Sequence, residues 1–187
     1  MRLVISNFIE FADSEWLEFS EDFVEKKIDK GDFLITEGDY CNYVGFINQG
    51  LLNYYYLVDG KKYIRGFFFD NDFISSYTSF LLNEKAKGYI QAVENTSITL
   101  IHKTKIYQLY EKTSKFQQLG RMLTEHLFIL VSEKYEDLLL KSPEERYLNL
   151  IENKPNVIQS IPQYMIASWL GITPEALSRI RKRLTRK

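Results

Sequence analysis

The sequence predicts an α+β chain: first a β-sandwich or β-roll, then a long helix, then a C-terminal helix-turn-helix. Three observations predict it. From Phe23 to Ile101, short runs rich in β-branched and aromatic residues alternate with turn residues. From roughly Lys115 to Leu140 the residues favour helix. From Ile161 to Lys187 the chain reads as two short helices joined by a tight turn, the second ending in a basic cluster.

At the N-terminus, Asp13 or Ser14 is placed to cap a short helix carrying Trp16, Leu17 and Phe19. The strand candidates are Phe33–Thr36, Tyr43–Asn48, Leu51–Val58, Lys61–Phe69, Tyr89–Glu94 and Ser97–His102. Asp59-Gly60 between two of them is the strongest hairpin signal in the chain. Cys41 reads as a small residue in a strand. Aromatic residues crowd the span from Tyr40 to Phe80. Strands favour aromatics, so these read first as core and sheet surface, with a stacking ligand pocket as the alternative.

In the long helix, Leu127-Phe128-Ile129-Leu130-Val131 is apolar at consecutive positions. Five residues at about 100° each go round the whole helix. Such a helix must be covered from more than one direction. His126 reads as a helix-surface or interface residue. Ser142-Pro143-Glu144-Glu145 then stops this helix and starts another, with serine as N-cap, proline first and glutamate third, a capping box. Asn153-Lys154-Pro155-Asn156 reads as a linker.

The first helix of the final pair opens at Pro162 and buries Met165, Ile166, Trp169 and Leu170 at 3–4 spacing. Gly171 suits the left-handed helix end, Thr173 the next N-cap, Pro174 the first helical position and Glu175 the positive end of the dipole. The second helix buries Ala176, Leu177, Ile180 and Leu184 and turns Arg179, Lys182 and Arg183 outward. A helix-turn-helix that lays its second helix in the DNA major groove has this layout. The charge distribution agrees. From Ser142 onward there are 8 Lys/Arg and 4 Asp/Glu, against 16 and 21 before it, within a total of −1. A basic module thus sits on an acidic body, a local footprint for phosphates.

These residues resemble the DNA-reading segment of the Crp–Fnr family of bacterial transcription regulators. Ile161, Ile166, Ala167, Leu170, Gly171, Thr173, Glu175, Leu177, Ser178, Arg179, Ile180 and Leu184 match its pattern. Arg181 departs from it, standing where the family usually has an apolar residue. Upstream, Lys30-Gly31-Asp32, Glu37-Gly38-Asp39 and Phe46-Ile47-Asn48-Gln49-Gly50 match the family's three successive sensor turns, so the resemblance spans nearly the whole chain.

The resemblance implies a jelly-roll, cyclic-nucleotide-binding-like sensor at residues 1–112, a dimerisation helix at 113–141 and a DNA-binding domain at 142–187. It implies that the long helix packs on its own β-roll and on the same helix of a second subunit, through Leu119, Leu123, Leu127 and Leu130. Gly120 would then permit the close approach of the two helices. The expected DNA contacts are Gln163, Thr173, Pro174, Glu175, Ala176, Ser178, Arg179, Lys182 and Arg183, with Glu175 and Arg179 reaching base edges. Pro174 offers no donor where the family often has a base-reading residue, so the target sequence should differ from that of the best-known members. Only three residues follow Leu184, so the two-stranded wing of many members is not expected. The implied partners are double-stranded DNA, a second copy of the chain and RNA polymerase.

Members that bind cyclic AMP carry Gly-Glu-Leu and, about ten residues later, Arg-Ser. Here the corresponding positions hold Ser75, Ser76 and Tyr77, then Lys87 and Gly88. The ribose-binding carboxylate is missing, and lysine lacks the bidentate fork of arginine. Cyclic AMP is therefore not the expected effector, and the pocket is left to another small molecule or to none.

Composition bounds the rest. No run of eighteen apolar residues or signal-peptide pattern occurs, so the expectation is a cytoplasmic protein without a membrane span. One cysteine excludes an internal disulfide and a four-thiolate iron–sulfur cluster. No nucleophile–base pattern, metal-ligand spacing or phosphate-cradling loop is present, so no enzyme, cofactor or metal is expected. The alternative to a DNA-binding regulator is a ligand-binding or protein-interaction module whose helical tail docks on a protein.

Overall fold

Short strands cannot bury a face alone, and here they pair into two antiparallel four-stranded sheets packed as a roll. The computed structural model describes residues 1–153, 158 and 160–185. One sheet runs β1 (Val24–Ile28), β8 (Thr96–His102), β3 (Tyr43–Gln49), β6 (Phe73–Ile74). The other runs β2 (Phe33–Ile35), β7 (Tyr89–Ala92), β4 (Leu52–Val58), β5 (Lys61–Phe68). Ile47, Leu52, Tyr54, Ile74, Ile90 and Ile98 fill the space between them. Asp59 at φ 50° and Gly60 at φ 74° make the two-residue β4–β5 turn that the Asp-Gly pair predicts.

In the β4–β5 ladder Tyr54 stands opposite Gly66 and Tyr55 opposite Ile64. Arg65 is therefore an extra residue on β5, a bulge that re-aims the side chains around it. Strand β1 was not among the sequence candidates. Only its Ile28 is buried, so its Val-Glu-Lys-Lys-Ile sequence shows no alternation.

Helices close one end of the roll. α1 (Arg2–Ile5) and α2 (Asp13–Ser20) pack with α4 (Lys103–Lys112) and the start of α5 (Ser114–Leu140) around Ile5, Phe19, Ile101, Leu109, Phe116 and Leu119. Neither Asp13 nor Ser14 caps α2. Ala12 is its N-cap, with the Glu15 carboxylate accepting from the Ala12 N–H at 2.7 Å, while Asp13 pairs with Arg2. Cys41 is buried just before β3 rather than in a strand, its thiol directed at the Tyr43 carbonyl. A short helix α3 (Tyr77–Leu82) links β6 to β7.

Two expectations about α5 need correction. A Cβ at Gly120 would collide with the Tyr110 ring of α4. That glycine admits a tyrosine of the same chain, not a second α5. Leu119 belongs to the chain's own core, and Leu123 and Leu127 are half-buried. The uncovered apolar surface lies further along, on Phe128, Leu130, Val131, Tyr135 and Leu138, with Phe128 71% exposed. Of the five consecutive apolar residues only Leu127 is half-buried, and Phe128, Ile129, Leu130 and Val131 are all exposed, so this chain leaves most of the helix circumference open there.

α6 (Pro143–Asn153) starts at the predicted capping box. The Ser142 N–H donates to Glu145 at 2.7 Å and the Glu145 N–H to Ser142 Oγ at 3.3 Å. The predicted linker falls, beyond Asn153, on residues outside those described. α7 (Gln163–Trp169) and α8 (Pro174–Leu184) follow. The expected lack of a wing concerns residues after 185, also outside those described. No helix among the described residues is long and apolar enough to cross a membrane.

Candidate nucleic-acid interface

The α7–α8 turn forms as its residues require. Gly171 takes φ +70°, and its N–H reaches the Ser168 carbonyl. Thr173 caps α8, its side chain accepting from the Ala176 N–H at 3.2 Å. Ile166, Ala167, Leu170, Leu177 and Ile180 are buried in one cluster that joins the two helices. That burial fixes which way the rest of α8 faces. Pro174, Glu175, Ser178, Arg179, Lys182 and Arg183 are exposed, together with Thr173, and Ala176 is half-buried. Arg181 is exposed too, so the departure from an apolar residue there meets solvent rather than core.

The Glu175 carboxyl sits below its ordinary pKa. The main cause is hydrogen bonding to its own backbone N–H, followed by Thr173, with a contribution from the Arg179 charge. Glu175 is thus held ionised beside Arg179 at the start of α8. Arg183 forms an ion pair with Glu144 of α6. Gln163 is half-buried at the start of α7. Its amide oxygen is buried, which turns that end of the side chain away from the exposed face.

The module is fixed to the roll by contacts that the sequence did not disclose. Leu51, Tyr55, Ile64 and Phe67 of the second sheet belong to the same cluster as the α7–α8 core. Strand β5 is the edge of that sheet, and an edge leaves backbone groups unpaired. Ser168 satisfies two of them, accepting from the Ile64 N–H at 3.1 Å and donating to the Lys62 carbonyl at 3.0 Å. Lys134 of α5 donates to a carbonyl three residues further along, that of Arg65. Trp169 meets Phe67 edge-on at 5.2 Å, with the Lys134 ammonium 5.5 Å from the indole centroid. Arg146 ties the helices together. One guanidinium nitrogen bonds the Lys141 carbonyl at 2.6 Å, and another bonds Leu170 O at 2.9 Å. A serine one residue before a tryptophan at a helix end carries no sequence signal for this role, because it depends on which strand ends at the sheet edge.

The expected effector residues do not converge. Ser75 and Tyr77 line a cavity between the roll, α1 and α5. Ser76 is buried behind them, bonded to the Tyr54 hydroxyl at 3.1 Å. Lys87 is exposed and lies outside the cavity lining. A Cβ on Gly88 would meet Tyr54 at 2.7 Å and Tyr56 at 3.0 Å. Two tyrosine rings therefore pack directly against Gly88 and take the room that a side chain would need there.

Residues 25–113 match the family model of the cyclic nucleotide-binding domain. No curated protein sequence matches the chain. Solved structures do. FixK2 from Bradyrhizobium japonicum is 20% identical with a TM-score of 0.73, covering 88% of this chain and 85% of that one. A protein from Eubacterium rectale assigned to the crp/fnr family of transcriptional regulators is 17% identical with a TM-score of 0.72, over 94% and 84%. A CooA mutant from Carboxydothermus hydrogenoformans is 16% identical, also at 0.72, over 99% and 84%. At these identities the likeness is one of fold, and it extends from the roll through the long helix to the C-terminal helices.

Proposed function

We propose that this chain, which has the fold of the Crp–Fnr transcription regulators and a cyclic nucleotide-binding domain at residues 25–113, is a homodimeric, sequence-specific DNA-binding regulator. The observation that carries the reading is α8. Its apolar face is used up inside the chain, while Glu175, Ser178, Arg179, Lys182 and Arg183 stand together on the exposed face. Such a helix enters a major groove with base-reading groups at its start and phosphate-binding cations toward its end. Two copies related by a two-fold axis read a near-palindromic site with half-sites about one helical turn apart.

The dimer seam runs along the uncovered face of α5, through Phe128, Val131, Tyr135 and Leu138. These follow 3–4 spacing and are all exposed in the single chain. RNA polymerase is a further partner of such a regulator once bound at its operator. Cyclic AMP is not the effector in this reading, since the positions that would hold its ribose and phosphate carry Ser76 and Lys87-Gly88.

A gel-shift titration in rising salt tests the DNA reading. Phosphate contacts make the logarithm of affinity fall linearly with the logarithm of salt concentration. A steep slope, with a selected palindrome bound more tightly than random DNA at the same salt concentration, supports the reading. A complex insensitive to salt, or none at low salt, favours a tail that docks on protein.

A further inference from the structure

We propose that the cavity between the roll, α1 and α5 binds an apolar monocarboxylic acid, with its carboxylate held by Arg65. The inference rests on the reading of the roll as the sensor of a regulator, and it names the class of molecule sensed.

The cavity has a volume of about 340 Å³, within the usual range for small-molecule sites. Its walls are mostly aliphatic and aromatic. Phe8 comes from beyond α1, Phe73 from β6, Phe80 from α3, Tyr110 from α4 and Leu123 from α5. A sugar or a dinucleotide would leave most of its hydroxyl and phosphate groups without partners against such walls, at a large desolvation cost. An apolar body would not.

Arg65 is the cationic exception among these walls. The bulge on β5 puts it there, because the extra residue breaks the alternation that would otherwise set its direction. It is half-buried, and no ion pair with a carboxylate is formed by it among the described residues. Its guanidinium carbon lies 4.8 Å from the Tyr54 ring centroid, and its charge is near enough to Tyr56 to favour the ionised phenol there. One face is therefore engaged by an aromatic ring and the planar N–H fork is only partly used. That fork matches a carboxylate in geometry and in charge, one positive against one negative. A dianionic phosphate would need further donors. The Asp72 carboxylate on the lining is bonded to the Phe69 N–H at 2.8 Å.

Calorimetry on the full chain tests this with hexanoate, decanoate and 2-naphthoate, and with decan-1-ol as the uncharged counterpart of decanoate. At least one acid should bind once per chain, and decanoate should bind about 10–100-fold more tightly than the alcohol, the worth of a charge-assisted hydrogen bond. Arg65→Gln should bring decanoate to the level of the alcohol. Leu123→Trp, which fills the cavity and leaves Arg65 in place, should abolish binding of both and guards against misfolding of the first variant. No binding by any of the acids, equal binding of acid and alcohol, or unchanged binding in either folded variant would overturn the proposal. The measurement contains no DNA. Acid binding by a chain that fails the salt titration would sink the regulator and keep the site, and the reverse result would do the opposite.

Discussion

Two arginines of α8, four residues apart, stand in different surroundings. Arg179 is exposed one turn into the helix beside an ionised Glu175. Arg183 is already paired with Glu144. Arg179 can bond guanine O6 and N7 together, worth about 1–3 kcal/mol of discrimination. Arg179→Ala should relax the preference at one base pair of each half-site, as read by selection from random DNA. Arg183 must exchange Glu144 for a phosphate, so Arg183→Ala should weaken specific and random DNA alike and flatten the salt slope by about 0.9 per lost contact. Equal loss on both DNAs for both variants would remove Arg179 as a base reader. Tyrosines respond to pH in a defined direction as well. Burial pushes Tyr110 up to about 12 and also raises Tyr43. A raised tyrosine pKa means that stability is complete below the unfolded value near 10 and is lost as pH rises through the folded one. Denaturant midpoints should accordingly fall above about pH 10, with fewer than the full number of tyrosines titrating in the native state.

At the scale of elements, the join between α7 and β5 can be tested by removing one oxygen. Ser168→Ala leaves the Ile64 N–H and the Lys62 carbonyl without their partner, at a cost of about 1 kcal/mol because the site is only partly buried. Amide exchange at Ile64 should quicken, while exchange in β3 and β8 stays unchanged. Unaltered protection at Ile64 would mean that water serves the strand equally well. The strands with alternating or strongly apolar sequences were legible before folding, and so were the Asp59-Gly60 turn, the Ser142–Glu145 capping box and the α7–α8 turn, because each depends on residues close in sequence. Strand β1 was not, since four of its five residues face solvent. Gly120 was misread for the same kind of reason. Its neighbour Tyr110 lies on another helix, and no local pattern shows which ring fills a missing Cβ. The exposed face of α8 was legible because helical spacing alone separates it from Leu177 and Ile180. The Arg65 bulge and the Ser168 contacts depend on sheet register and strand order, which the sequence does not carry in any single window.

For the whole molecule, the exposed face of α5 requires a cover. A single chain leaves Phe128, Val131, Tyr135 and Leu138 exposed, more apolar surface on one helix than a monomer ordinarily tolerates. Sedimentation should show a dimer at micromolar concentration. Val131→Glu would place an unpaired charge at the seam and should yield monomers, whereas Leu119→Ala should lower the melting temperature without changing the association state, since Leu119 lies in the chain's own core. For a buried leucine that loss is about 2–5 kcal/mol. A monomeric wild type would end the two-fold model.

The edge position of β5 has one more consequence. An uncovered sheet edge recruits strands from other molecules, and most proteins guard it with charge, a proline or a bulge. Here the middle of that edge is guarded by Ser168 and Lys134, side chains of helices rather than a strand. Any lesion that unseats α7, Trp169→Ala among them, uncovers a template for aggregation as it displaces the helices. Solubility in the cell and the seating of α7 should therefore fail together, and loss-of-function variants at this join should be found in the insoluble fraction rather than as inactive soluble protein.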